Sequence, residues 1–229
     1  MRAILVHNVD MLKLLIGHGA NVHYVVPESG ENSLICAVEN GFADGVQLLI
    51  DNGANPSVSD GRGEPIHHAC ESGNAEIVQV LLDNSVDPDA FNSGIVCFCC
   101  SIQLLLCLEG TTPLILAVQH GEIEVVRLLV EHGADVNLVD EDGSSALSHA
   151  VALNFVDIAQ LLLESNAAID AVSYKDTELM LATTPLMMAI MCESTECVHL
   201  LLDHGADVNV IPDGFSNFCV TAYFYLSLK

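Results

Sequence analysis

The stretch Leu108 to Asp140 reads LEGTTPLILAVQHGEIEVVRLLVEHGADVNLVD, and its punctuation decides the fold. Thr112 is a good helix N-cap, and Pro113 follows at the first helical position, where its fixed φ helps and its missing N–H costs nothing. The helix that begins there ends at Gly121, a residue free to take the left-handed conformation. A second helix follows, with Ile123, Val125, Val126, Leu128, Leu129 and Val130 spaced to give a broad apolar face, and Gly133 closes it.

The same grammar recurs along the chain. Asn32-Ser33-Leu34-Ile35-Cys36-Ala37 is followed by Gly41, by the apolar positions Val46, Leu48, Leu49 and Ile50, and by Gly53. Glu64-Pro65-Ile66-His67-His68-Ala69 is followed by Gly73 and then Ile77, Val78, Val80, Leu81 and Leu82. Ser145-Ala146-Leu147-Ser148-His149-Ala150 and Thr184-Pro185-Leu186-Met187-Met188-Ala189 open two further copies. Where a helix end lacks Gly, Asn154 and Asn166 supply another residue that tolerates the left-handed region. Ser85 is a poorer substitute, and Glu193 predicts a strained or rearranged turn. Superposition of Ala3 and Ala20 on Ala117 and Ala134 starts the chain inside a first helix, with Met11, Leu12, Leu14 and Leu15 on the apolar face of a second. That end has no polar end-cap, which predicts either a longer parent chain or some other cover.

Thr112-Pro113-Leu114-Ile115-Leu116-Ala117 resembles the T-P-L-H-x-A signature of the ankyrin repeat family, a unit of about 33 residues. Ile115 stands at the His place here, and His67 fills it in another copy. The resemblance implies an all-α fold, an ankyrin-repeat solenoid of stacked helix-turn-helix units with projecting hairpin-like loops. It implies a repeat domain over 1–213, built from a partial unit at 1–27 and repeats at about 28–60, 61–93, 109–140, 141–173 and 181–212. Residues 214–229 then form a partial sixth repeat or a truncated tail. For His67 it implies a structural role, its imidazole tying neighbouring loops by hydrogen bonds.

Between the second and third full units lie fifteen residues, Gly94 to Leu108, without a charge and without the period of their neighbours. Removing them restores the repeat register, so they read as an insertion foreign to the array, of the kind a retained intron leaves. The loop after Asp170, through Ala171 to Leu181, is six residues longer than in the Leu108–Asp140 unit. Loops tolerate such lengthening.

Composition narrows the function. Six Lys plus Arg against 31 Asp plus Glu give a formal net charge of −25, which opposes phosphate backbones and anionic lipid and excludes nucleic acid as the expected partner. Nine Cys without regular pairing intervals suit a reducing compartment, cytoplasm or nucleus. The apolar run Ala3–Val6 is too short for a signal-peptide core, and no stretch reaches the roughly 20 apolar residues of a membrane span.

Catalytic and metal constellations are weak. His67-His68-Ala69-Cys70 has no second ligand pair at zinc spacing, and Gly61-Arg62-Gly63 lacks both the third Gly and the preceding strand of a phosphate loop. The Cys-rich segment 97–107 has no His nearby to complete a metal knuckle. Ser144, Ser145, Ser148 and His149 imitate a nucleophile with its base, but a capped helix start explains them. No enzyme activity, cofactor or metal is expected.

The resemblance implies a protein–protein interaction module, a scaffold or adaptor that binds a partner on its concave face; a regulatory segment of a larger enzyme and a structural spacer are the alternatives. The family's variable surface positions fall on Glu39, Asn40, Glu71, Ser72, Gln119, His120, Ala152, Leu153, Met191 and Cys192 in the first helices. At the loop tips they fall on Arg62, Val139, Glu141, Asp142 and Ser144. The charge predicts a partner with a basic surface. Asn137 and Asn209 follow Leu-x5-Asp-x-Asn, which resembles the pattern that asparaginyl hydroxylases modify on such loops; the competing role is loop hydrogen bonding.

Overall fold

The structure, a computed structural model, describes residues 1–25, 32–92, 110–174 and 182–210. The fold is all-α: among the described residues there are twelve helices and a single two-residue ladder. The chain divides into two compact units, Met1–Ala134 and Asp135–Lys229.

The first unit contains α1 (Arg2–Leu5), α2 (Val9–Gly17), α3 (Ser33–Glu39), α4 (Ala43–Asp51), α5 (Pro65–Glu71), α6 (Ala75–Asp83), α7 (Pro113–Gln119) and α8 (Ile123–Glu131). Consecutive helices pack as hairpins, while α1, α3, α5 and α7 form one layer and α2, α4, α6 and α8 the other. In the second unit, α9 (Ala146–Ala152) pairs with α10 (Val156–Glu164), and α11 (Pro185–Met191) pairs with α12 (Thr195–Asp203). Strands β1 (Ser173–Tyr174) and β2 (Ala182–Thr183) form the ladder, at the neck of the long loop.

The caps are those the sequence specifies. Thr112 Oγ1 accepts from Ile115 N–H at 3.3 Å, Asn32 Oδ1 from Ile35 N–H at 2.8 Å, Ser145 Oγ from Ser148 N–H at 3.3 Å and Thr184 Oγ1 from Met187 N–H at 3.3 Å. First helices are buried nearly all round: Leu114 through Val118 of α7 are all in the core. Second helices bury a narrower stripe than their composition suggests. Val125, Val126 and Leu129 are buried, whereas Ile123, Leu128 and Val130 are half-buried at its edges. In α2 only Leu12 of the four expected apolar positions is buried.

Helix ends hold their left-handed geometry whatever residue stands there. Asn154 and Asn166 sit at φ 59° and 65°, and so do Ser85 at 63° and Glu193 at 55°. The Glu193 turn is therefore strained and not rearranged, because the hairpin fixes the chain direction on both sides. A Cβ in this region costs about 1–2 kcal/mol, which Gly avoids. Ser85→Gly and Glu193→Gly are each expected to stabilise the chain by about 1 kcal/mol, measured by urea unfolding; a loss of stability in either variant would contradict the strain argument.

The insertion 94–108 and the tail 214–229 lie outside the described residues, as do 175–181 of the long loop. The residues that flank the insertion are described. Asn92 N–H donates to Thr111 O at 3.0 Å and Gly110 N–H to Asn92 O at 2.8 Å, an antiparallel bridge like Val25–Asn32 and Val139–Ser145 in the other loops. With α7 packed on α5 and α8 on α6, the repeat-to-repeat contact is made across the insertion.

Candidate functional site

The first-helix layer of the first unit carries the densest set of charged contacts. Asp60 opens the turn before α5, and its carboxylate accepts from Arg62 N–H at 2.8 Å and Gly63 N–H at 3.2 Å. The Arg62 guanidinium folds back onto it, with Nη2 2.7 Å from Asp60 Oδ2, and the same nitrogen reaches Glu39 Oε1 of the preceding repeat at 2.6 Å. His68, buried beneath, lies 3.3 Å from Asp60 Oδ1 and 4.0 Å from Glu39 Oε1. Burial alone would raise the Asp60 carboxyl. The hydrogen bond from the Arg62 backbone and the His68 and Arg62 charges outweigh that and hold it below its ordinary value. A depressed carboxyl contributes stability that is present above its unfolded pKa and lost as pH falls through the folded one.

The second unit repeats the motif in reduced form. His149 Nε2 meets Asp140 Oδ2 at 2.7 Å, and Asp140 also accepts from Ser144 N–H at 2.8 Å. Burial again pushes this carboxyl up, and the His149 and Ser144 hydrogen bonds bring it below its ordinary value. The serines nearby bond among themselves: Ser148 Oγ is 3.2 Å from Ser145 Oγ and 2.8 Å from Ser173 Oγ. His149 thus pairs with a carboxylate, and the hydroxyls belong to the helix start.

His67 occupies the interior of the loop layer. Its Nδ1 accepts from Glu64 N–H at 3.1 Å and its Nε2 lies 2.9 Å from Ala90 O in the next loop, so the neutral Nε2–H tautomer satisfies both. This is the loop-tying role the resemblance implies.

The expected recognition residues are placed unevenly. Glu39 and Arg62 are brought together as an ion pair. Asn40, Glu71 and Ser72 are exposed, although Asn40 Nδ2 donates to Cys36 O at 2.8 Å and Ser72 Oγ to Ala69 O at 3.1 Å. Gln119 is half-buried and His120 exposed, its ring bound to Leu116 O at 3.0 Å. In the second unit Val139, Glu141, Asp142, Leu153, Met191 and Cys192 are exposed and Ala152 is half-buried. Ser144, expected at a loop tip, is instead buried, because its N–H and C=O both bond to Asp140 across the loop neck. Sequence reasoning missed Asp60 and Asp140. The signal was present in the Asp that opens each of these loops, facing a His one place beyond the signature position.

At the projecting tips, Asn137 is engaged. Its Oδ1 accepts from Ala168 N–H at 2.7 Å and its Nδ2 donates to Asn166 O at 3.4 Å. Among the described residues the Asn209 side chain bonds only within its own loop, to Asp207 at 3.3 Å. No group of three or more His, Cys, Asp or Glu among the described residues is placed to hold a metal ion.

Comparison with known proteins gives a consistent answer. The family profile described as Ankyrin repeats (3 copies) matches residues 1–92 and 93–173, and the single Ankyrin repeat profile matches 183–213. Neurogenic locus notch homolog protein 1 of Xenopus tropicalis is 35% identical over 182 residues, 80% of this chain and 6% of that protein. Neurogenic locus notch homolog protein 2 of Homo sapiens is 33% identical over 171 residues, 74% of this chain and again 6% of the relative. The chain therefore spans only a small part of these relatives. The crystal structure of the human ASB11 ankyrin repeat domain superposes with a TM-score of 0.73 at 26% identity, covering 99% of this chain and 96% of that one.

Proposed function

From a chain that belongs to the ankyrin repeat family, we propose a recognition module whose first-helix layer and loop tips bind a basic segment of a partner protein. Ankyrin repeats are generally protein–protein interaction modules, and their fold is typically non-catalytic. The observation that carries the reading is the state of Arg62, which is held by Glu39 and Asp60 and leaves the acidic surplus of Glu39 and Glu71 facing outward. A cationic side chain from a partner meets a surface where Arg62 is already neutralised, and the −25 net charge speeds the encounter. The compartment that fits is the cytoplasm or nucleus, where Cys70, Cys192 and Cys197 stay free thiols. No described helix is long and apolar enough to cross a membrane. The test is binding of Lys/Arg-rich peptides to the full chain across salt concentration. Affinity is expected to fall as salt rises; affinity indifferent to salt would remove the proposal.

The loop-tip asparagines extend this reading to modification. A hydroxylase must draw the asparagine side chain away from its hydrogen bonds, and Asn137 has two to a neighbouring loop while Asn209 has one within its own. Oxygen incorporation by an asparaginyl hydroxylase is expected at Asn209 ahead of Asn137, read by mass spectrometry of the two peptides. Equal modification, or Asn137 first, would contradict this order.

A further inference from the structure

The cation in the Glu39–Asp60–Arg62 cluster comes from the chain itself, and it stands where the cation of a partner would stand. The two oxygens of Asp60 have separate partners. Oδ1 accepts from Arg62 N–H at 2.8 Å and Gly63 N–H at 3.2 Å and lies 3.3 Å from His68 Nε2, three contacts that do not involve the guanidinium. Oδ2 accepts from the guanidinium, from Nε at 3.0 Å and Nη2 at 2.7 Å. Nη2 also donates to Glu39 Oε1 at 2.6 Å, so one cationic nitrogen joins carboxylates of two neighbouring repeats.

Exposure shows which group covers which. The Asp60 side chain is 2% exposed, whereas the Arg62 side chain lying over its Oδ2 is 63% exposed. Truncating Arg62 therefore opens Oδ2 and Glu39 Oε1 to the outside and leaves the contacts of Oδ1 in place. An ion pair as exposed as this one contributes little to stability. Nor does the loop need it: in the second unit Asp142 stands before Gly143 as Arg62 stands before Gly63, and Asp140 keeps its turn through Ser144 N–H and His149. Arg127, by contrast, bridges no repeats and lies 3.9 Å from Glu124 of its own helix.

We infer that Arg62 is an autoinhibitory occupant, its guanidinium filling in cis a seat made by Glu39 Oε1 and Asp60 Oδ2 that receives an arginine of the partner segment. Binding exchanges one guanidinium for another and frees Arg62 to water. This rests on the basic-partner reading proposed above and specifies its regulation and its preferred side chain. A guanidinium suits the seat better than an ammonium, because two of its nitrogens are used on Asp60 Oδ2 while one of them also keeps Glu39. An ammonium brings a single nitrogen to the same three contacts.

Titration calorimetry at low salt tests this with an oligo-arginine peptide and the oligo-lysine peptide of equal length. The chains compared are the full wild-type chain, Arg62→Ala, Arg62→Gln, Arg127→Ala, Glu39→Gln and the double variant Glu39→Gln with Arg62→Ala. Arg62→Ala, Arg62→Gln and Arg127→Ala each remove one positive charge, so a difference among them is not an effect of net charge. Arg62→Ala is expected to bind oligo-arginine about threefold more tightly than wild type, the scale of one exposed ion pair released. Oligo-lysine is expected to gain less, and Arg127→Ala to bind as wild type does. In the Glu39→Gln background the gain from Arg62→Ala is expected to vanish, because half of the seat is gone. Circular dichroism checks helix content, and Arg62→Gln, which keeps most of the stem, reads the same gain if Arg62→Ala loses its helices. Unimproved binding in the Arg62 variants overturns the inference. So does an equal gain in Arg127→Ala, an equal gain for oligo-lysine, or a gain that persists in the Glu39→Gln background. If neither peptide binds wild type or any variant, the basic-partner reading fails and this inference with it; if wild type binds and the Arg62 variants bind no better, the inference fails alone.

Discussion

His67→Ala is expected to lower the unfolding free energy by about 3 kcal/mol and to remove a pH dependence that the wild-type chain shows. The imidazole joins Glu64 N–H to Ala90 O, so its loss breaks two part-buried hydrogen bonds and leaves both backbone groups without this partner. Each stranded group costs about 1–3 kcal/mol when water cannot reach it. Burial pushes the His67 pKa down, with hydrogen bonds from its neighbours acting the other way. Protonation would also convert the accepting Nδ1 into a donor facing Glu64 N–H. A His whose folded pKa is depressed contributes stability that is fully present above its unfolded value, near 6.5, and is lost as pH falls through the folded one. Urea unfolding of wild type and variant from neutral to mildly acidic pH should therefore show two curves that converge on acidification. Parallel curves, or a variant within 0.5 kcal/mol of wild type, the usual range for surface substitutions, would show that His67 does not tie these loops.

Deleting Gly94 to Leu108 is expected to raise stability by about 1.5 kcal/mol. The deletion shortens the chain between Asn92 and Thr111 from eighteen intervening residues to three, and each halving of a closed loop returns about 0.6 kcal/mol. The Asn92–Thr111 bridge and the packing of α7 on α5 are made with the segment present, so neither depends on removing it. The segment also holds Ile95, Val96, Phe98, Ile102 and four Leu without a charge, and such a patch promotes non-specific association when exposed. Thermal unfolding of the deletion against the full chain reads the first effect. A lower midpoint, or loss of peptide binding, would show that the segment belongs to the structure and is not foreign to it.

What the sequence disclosed and what it withheld follow from the range of the forces involved. Thr112-Pro113, Gly121 and Gly133 act through their own backbone, so helix starts and stops were legible residue by residue. Ser85 and Glu193 were legible as misfits for the same reason, since only a glycine-like site makes them costly. The Glu39–Arg62 ion pair was not, because it joins residues 23 positions apart and depends on which repeat stacks on which. Ser144 looked like a loop tip by position, and only the Asp140 carboxylate that turns the loop back on itself buries it. The contrast between Met11 and Ile77, alike in sequence but not in exposure, likewise comes from a neighbour and not from the residue.

The central claim, that an acidic first-helix surface recognises a basic partner segment, is tested most directly by reversing two of its charges. Glu39→Lys with Glu71→Lys changes exposed side chains on α3 and α5, leaves Asp60 to hold Arg62, and moves the formal net charge only from −25 to −21. Binding of a Lys/Arg-rich peptide would be measured for both chains by titration calorimetry at low and at physiological salt. The account predicts that the double variant loses at least tenfold in affinity at low salt, about 1.4 kcal/mol, and loses most of its salt dependence. Unchanged affinity in the double variant would place the binding of basic peptides somewhere other than this surface and contradict the account.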